Sequence, residues 1–221
     1  MNHTPMNRER FQIAVADDLA AIVCPVAARV SPVVVVARDA RLDQPLRDAA
    51  ARLRTTAESA DRTAAVRTMY KRLGIDPTKT RPSSEALLRR VRKGDELPRI
   101  NSLVDVINWC SLETQLSFGL YDASKVVGAV TMRRGGEGES YAGIRKDEVH
   151  VAGRLVLADA LGAFGNPTSD SARTAVTETT TAALIVIFIP APLADVSEEV
   201  MTLTLARVQG SSVHGSSVLE L

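Results

Sequence analysis

Apolar and polar positions change their spacing along this chain, and each change predicts a change of element. Between positions 11 and 38, short apolar runs at Ile13–Val15, Ala20–Val23 and Val33–Ala37 are punctuated by Pro25 and Pro32, the pattern of short strands broken by turns. Val33–Val36 is a run of valines and predicts a buried strand. Helical spacing then takes over: Leu42, Leu46, Ala49, Ala50 and Leu53 recur among Arg and Asp on one face. A second helix is predicted over about Arg62–Leu73, stopped by Gly74 with Pro77 beyond it. A third, capped by Ser83 or Ser84, runs to Gly94, and a fourth follows Pro98 from Ile100 to about Glu113.

From Val126 onward the pattern becomes that of strands. Val126–Arg133, Leu155–Asp159, Ala182–Ile189 and Val200–Val208 are β-branched or alternating, with Gly- or Pro-bearing turns between them. Helices first and strands later predict an α+β fold rather than alternating βα units. No repeat of solenoid period is present, and the pattern is that of one domain over residues 1–209. The stretch 210–221, which repeats GSSV, is expected to be a flexible tail.

Composition narrows the classes. The 221 residues are 45% hydrophobic and 24% charged, which suffices for a core and excludes disorder or a coiled coil as the overall state. Aromatics are only 4%, so the core must be built mainly from Ala, Val, Leu and Ile. The net charge of +1 conceals a segregation. Arg38–Arg99 holds sixteen basic and nine acidic residues, against eleven and seventeen elsewhere. A surface for an anionic partner is therefore expected in that middle third. The longest apolar run, Ala182–Ile189, is too short to cross a bilayer, and the start lacks an apolar stretch of signal-peptide type, so a cytoplasmic protein is expected. Cys24 and Cys110 show no metal-ligand spacing, and His3, His150 and His214 form no cluster, so neither metal nor cofactor is expected.

Four stretches could carry chemistry. In RINSLVDVINWCSLE, Asn101, Asp105 and Asn108 fall on one stripe of a helix that is otherwise apolar nearly all round. Buried polar groups must find partners or line a cavity, so this stripe is either a pocket wall or a structural network. RRGGEGESYAGI could present backbone N–H groups and Glu139 to a ligand, yet it fits no phosphate-loop pattern and reads equally as a hairpin turn. PTSDSARTAVTETTT offers Arg173 among hydroxyls, suited to a carboxylate or phosphate, or simply an ion pair with Asp170. LLRRVRKGDELPR supplies Arg89, Arg90, Arg92 and Lys93, either a solvated face or contacts to a phosphate backbone. No nucleophilic triad is readable: His150 has no motif around it, and Cys110 reads as a small core residue.

The order of the phrases says more than any one of them. LPRINSLVDVINWCSLE, then YDASKV, RRGGEGESY, LVLAD and TAVTETTTAALIVI together resemble the tRNA-editing domain of the phenylalanyl-tRNA synthetase β subunit, built from its third and fourth modules. They resemble more closely the free-standing proteins made of that domain alone. The matching positions are Leu103-Val104-Asp105 with Asn108, Tyr121-Asp122 with Lys125, Gly138-Glu139, and Val176-Thr177 with Thr180, covering about Arg81 to Pro192.

The resemblance implies a β-rich, sandwich-like core with helices packed on it. It also implies a reaction, since in the synthetase this domain hydrolyses tyrosine wrongly attached to the phenylalanine tRNA. Carried over, Asn101, Asp105, Asn108 and Ser111 would line a ligand pocket with Gly119, Glu139, Arg173 and Thr180 around it. Arg89, Arg90, Arg92 and Lys93 would meet the backbone of a tRNA whose acceptor end is the partner. The chain departs from the family at two places: Gly119 stands where the family has His, and Asp170-Ser171-Ala172-Arg173 replaces a Gly-rich acidic turn. It has no room for an aminoacylation core, so a ligase is not expected. Two functions follow: hydrolysis of a mischarged aminoacyl-tRNA in trans, or a non-catalytic module that binds a small amino-acid-like ligand or a protein partner.

Overall fold

The computed structural model describes residues 6–55, 60–144 and 146–212. The N-terminal part holds β1 (Asn7–Arg10), β2 (Ile13–Val15), the short α1 (Asp17–Ala20) and β3 (Val23–Ser31). Four helices follow: α2 (Asp43–Thr55), α3 (Ala60–Arg72), α4 (Ser83–Arg92) and α5 (Ser102–Thr114). Next come β4 (Ser117–Asp122), β5 (Val130–Arg134), β6 (Ser140–Gly143), β7 (Lys146–His150) and β8 (Leu155–Asp159). The hairpin β9 (Gly162–Asn166) and β10 (Ser169–Asp170), the central β11 (Ala183–Pro190) and the last helix α6 (Ser197–Ser212) complete the chain.

The strands form two main sheets, ordered β1-β3-β11-β4 and β10-β9-β8-β5-β2, with a separate ribbon β6-β7. Every pairing among these strands is antiparallel except that of β2 with β5. β11 is buried along its whole length because both of its faces are covered. Leu184, Val186 and Phe188 join Met132, Leu155, Leu157 and Phe164 of the second sheet in one core, to which α3 adds Met69 and Tyr70. Ala183 and Ile185 join Val30 and Leu120 in a second core against α2, α4 and α5. The fold is α+β, with a sandwich-like pair of sheets and helices packed on it.

Most predicted helices form where their spacing placed them. Gly74 ends α3 with a positive φ of 76°, and the Ile75 N–H reaches back to the Tyr70 carbonyl at 2.9 Å. The cap of α4 differs from expectation: Pro82 occupies the position, and the Ser84 hydroxyl donates instead to the Gln115 carbonyl at 3.2 Å.

The strands depart further from the sequence pattern. Pro25 lies inside β3, opposite Phe188, where β1 has not yet joined that edge, so a missing N–H is tolerated. The valine run is not a strand. Val33 N–H binds the Thr181 carbonyl at 2.8 Å, and Val36 exchanges hydrogen bonds with Ser102 at the start of α5. Val33 and Val35 are buried all the same, so the run serves the core without a ladder. Val200–Val208 is helical. Its buried positions Val200, Met201, Thr204 and Val208 repeat at helical spacing, a pattern that the alternation of Leu203 and Leu205 conceals. Positions 210–212 of the expected tail belong to α6, which continues to Ser212; residues 213–221, with His214, and His3 lie outside the described residues. The Gly-rich turn is not a plain hairpin either: β5 pairs with β8 and β2, and the turn leads into the ribbon.

Candidate functional site

The polar stripe of α5 divides into three jobs. Asn101 is the N-cap: its side-chain oxygen accepts from the Val104 N–H at 2.9 Å. Asp105 accepts from Arg99 Nε at 2.6 Å and from the Ile100 N–H at 2.8 Å, so its carboxylate is consumed in fixing the chain that enters the helix. Asn108 alone faces a cavity. Its amide side chain forms no hydrogen bond among the described residues.

That cavity, of about 190 Å³, lies between α5 and the β9–β10 hairpin. Ile107, Asn108 and Ser111 form one wall, Asn166 to Asp170 the other, and Ser83 and Phe118 close it. Ser111 donates its proton to the Leu116 carbonyl at 2.7 Å, leaving its oxygen as an acceptor. The hairpin is held rigidly. Asn166 Oδ1 accepts from the Thr168 N–H at 2.8 Å and the Ser169 N–H at 3.0 Å, while Asn166 Nδ2 donates to the Tyr141 hydroxyl at 3.0 Å. The Tyr70 hydroxyl donates to the Pro167 carbonyl at 2.8 Å.

Asp170 ends this hairpin. The residue is half-buried, but its Oδ1 is sealed from solvent and has no hydrogen-bond partner. Burial pushes its carboxyl up to about 7. The neighbouring Tyr121 hydroxyl is likewise buried without a partner, and burial together with the Asp170 charge keeps it protonated. Tyr121 is wedged between two strands: a Cβ on either Gly119 or Gly165 would collide with its hydroxyl. Gly119 is therefore glycine because the Tyr121 phenol fills the space in which a side chain at that position would stand.

The other expected site residues are drawn into the framework. Glu139 accepts both Arg133 Nη atoms, at 2.7 and 2.8 Å, together with the Gly136 N–H at 2.7 Å. Arg133 above all, with that N–H, holds its carboxyl down at about 2, and it lines no cavity with Asn108. Arg173 pairs with Asp159 rather than Asp170, through two bonds of 3.0 and 2.9 Å. Thr180 donates to Asp122 at 2.7 Å and accepts from the Thr177 N–H at 3.0 Å. Lys125 donates to the Ala175 carbonyl at 2.9 Å, closing a clamp between two of the phrases that carried the resemblance. Of the expected pocket, Asn108 and Ser111 line this cavity, and Gly119 stands behind it through Tyr121. Asn101, Asp105, Glu139, Arg173 and Thr180 do structural work.

Sequence reasoning missed Asp170 as a cavity group, reading it as the ion-pair partner of Arg173. It also missed β4 and β9, whose apolar signal is diluted by the glycines that admit Tyr121. The Asn166-Pro167 turn signal was the one local clue to this hairpin. Arg89, Arg90, Arg92 and Lys93 are all exposed at the C-terminal end of α4. Among the described residues no helix is long and apolar enough to cross a membrane.

The architecture is that of an α+β domain with a small polar cavity at the junction of its helical layer and its sheets. The chain belongs to the B3/4 domain family, whose sequence profile matches residues 65–205. The resemblance to the third and fourth modules of the synthetase β subunit thus holds at the level of the family. No curated protein matches the chain. Among solved structures it is similar to an N-terminal fragment of the phenylalanyl-tRNA synthetase β subunit from Pyrococcus horikoshii, at 15% identity and a TM-score of 0.44. That match covers 90% of this chain, which spans about half, 52%, of the fragment.

Proposed function

We propose that this B3/4 domain binds the acceptor end of a tRNA and hydrolyses a mischarged aminoacyl ester in the Asn108–Asp170 cavity. The observation that carries the reading is the convergence, in one cavity, of an uncommitted amide, a hydroxyl oxygen and a half-buried carboxyl that titrates near neutrality. An aminoacyl ester is labile, so a positioned water and a polarised carbonyl suffice without a covalent nucleophile. Asn108 Nδ2 is suited to donate to the ester carbonyl oxygen as it gains charge. Ionised Asp170 takes a proton from the attacking water through Oδ2, the oxygen that is not sealed, and the same proton then goes to the departing ribose oxygen, so the acyl–oxygen bond breaks with no net change at Asp170. A pKa near 7 gives both forms of the carboxyl a working population at neutral pH. The exposed cations of α4 support backbone contact with the tRNA.

The test is to mix the full chain with a panel of correctly charged and mischarged aminoacyl-tRNAs and follow loss of the ester. Release from one mischarged pair with correct pairs spared, lost in both Asn108→Ala and Asp170→Asn, is the expected result. No release from any pair would overturn the hydrolytic reading and leave the cavity to a non-catalytic ligand.

A further inference from the structure

A second cavity, of about 280 Å³, lies between α2 and the segment leading from α4 to α5. Its α2 wall is outside the residues matched by the B3/4 profile. Its floor is apolar, made by buried Leu46, Ala50 and Leu97. Its rim is built from arginines. Arg38 and Arg99 share one carboxylate, Asp43, which Arg99 and then Arg38 hold below the usual carboxylate range and so keep ionised; Arg99 also pairs with Asp105. The other two are differently placed. Arg47 donates to the Gln44 side-chain oxygen at 3.1 Å, and Arg54 donates to the Val91 and Gly94 carbonyls, each at 3.1 Å. Among the described residues neither guanidinium has a carboxylate partner. Glu96, also on the rim, is exposed, and its backbone carbonyl is what meets Arg90.

We propose that this cavity is the seat of a phosphorylated nucleoside. Over an apolar floor, two guanidinium groups with no carboxylate partner, Arg54 with its Nη1 still uncommitted, match phosphate oxygens at one end and the flat, weakly polar body of a base at the other, on which a guanidinium can also stack. The volume lies at the small end of ligand pockets, suited to one nucleotide unit. A free nucleotide and one unit of an RNA strand offer the same chemistry. The fold bears on the second source, because α5 joins the two cavities: Asp105 grips Arg99 of this one, and Asn108, one turn along the same stripe, lines the other. The seat does not depend on hydrolysis in that other cavity.

Calorimetric titration of the full chain with 5′-AMP, adenosine and inorganic phosphate tests it. AMP is expected to bind at one site, with adenosine and phosphate each weaker by about tenfold or more. Arg47→Glu reverses an exposed charge, and Ala51→Glu puts a carboxylate into the mouth without removing a guanidinium; each is expected to weaken AMP by at least about tenfold with an unchanged unfolding midpoint. Absence of AMP binding, AMP binding that survives either substitution, or phosphate binding as tightly as AMP would overturn the proposal. Anisotropy with a short single-stranded RNA separates the sources. Loss of RNA affinity in the same variants, with competition by AMP, assigns the seat to an RNA strand, and retained RNA affinity assigns it to a free nucleotide.

Discussion

Replacing Asp170 with Asn is the most discriminating perturbation of this domain, because stability and activity should move in opposite directions. The carboxyl is raised from an ordinary value of 3.8 to about 7, chiefly by burial. Well below 3.8 it is protonated in both the folded and the unfolded chain, and the stability associated with the neutral form is fully present. As pH rises the unfolded carboxyl ionises first, and that stability is lost progressively until the folded carboxyl has also ionised near pH 7. One pKa unit corresponds to about 1.4 kcal/mol, so a fully sealed group would lose about 4 kcal/mol across this window. The half-buried state of the residue as a whole reduces that figure toward 2 kcal/mol, roughly.

Asn keeps the shape of the side chain but has no charge to bury. The variant should therefore lie within about 1 kcal/mol of the natural protein at pH 4 and exceed it by about 2–4 kcal/mol at pH 8, while losing ester hydrolysis. Urea unfolding of both proteins at pH 4, 6 and 8 measures the difference directly, since every other titrating group is common to both and cancels. A difference that does not vary with pH would refute the buried-carboxyl argument, and an active Asn variant would refute its part in hydrolysis.

Other expectations follow from the same geometry. Glu139→Gln should leave ester hydrolysis unchanged. It should also remove a stability increment that is present above the ordinary carboxylate range and lost as pH falls toward 2, read from acid unfolding curves. Gly119→Ala forces a Cβ against Tyr121 and should cost about 1–3 kcal/mol, partly recovered in the double variant with Tyr121→Phe; full additivity in that cycle would contradict the wedge. Thr180→Val leaves the buried Asp122 carboxylate short of a donor and should cost about 1–3 kcal/mol in a urea titration. Charge reversal of Arg89 and Arg92 together should weaken tRNA binding and flatten its logarithmic salt dependence by up to about 1.4, if each meets one phosphate.

What the sequence made legible was set by how locally each feature is determined. The helices α2, α3 and α5 were readable because period, cap and stop all lie within one stretch, as in Gly74 ending α3. Asp170 was not, since its character comes from β4 packed against β10, partners about fifty residues away in the chain. The valine run misled because four β-branched residues satisfy a strand pattern whether or not a neighbouring strand is there to pair. At 200–208 two apolar periods coexist, and only the surfaces offered by β3 and α5 decide between them.

The family resemblance was legible for a reason that also limits it. The phrases that carried it are the ones whose side chains are spent on the fold: Asp122 with Thr180 and Ser124, Lys125 on Ala175, Glu139 on Arg133, and Asp105 on Arg99. These clamps fix where the β9–β10 hairpin and α5 stand but contribute little to what the space between them binds. The groups that face that space, Asn108 and Asp170, belong to the motif in one case and to a departure from it in the other. A cavity of this kind can change its ligand without disturbing its frame. Membership of the B3/4 family therefore establishes the frame, and the chemistry must be read from the hairpin. Exchanging Asp170 and Asn108 separately, in the ester assay, divides the two contributions: loss with Asn108→Ala alone would mean that polarising the carbonyl suffices, whereas loss with both would require the proton carried by Asp170.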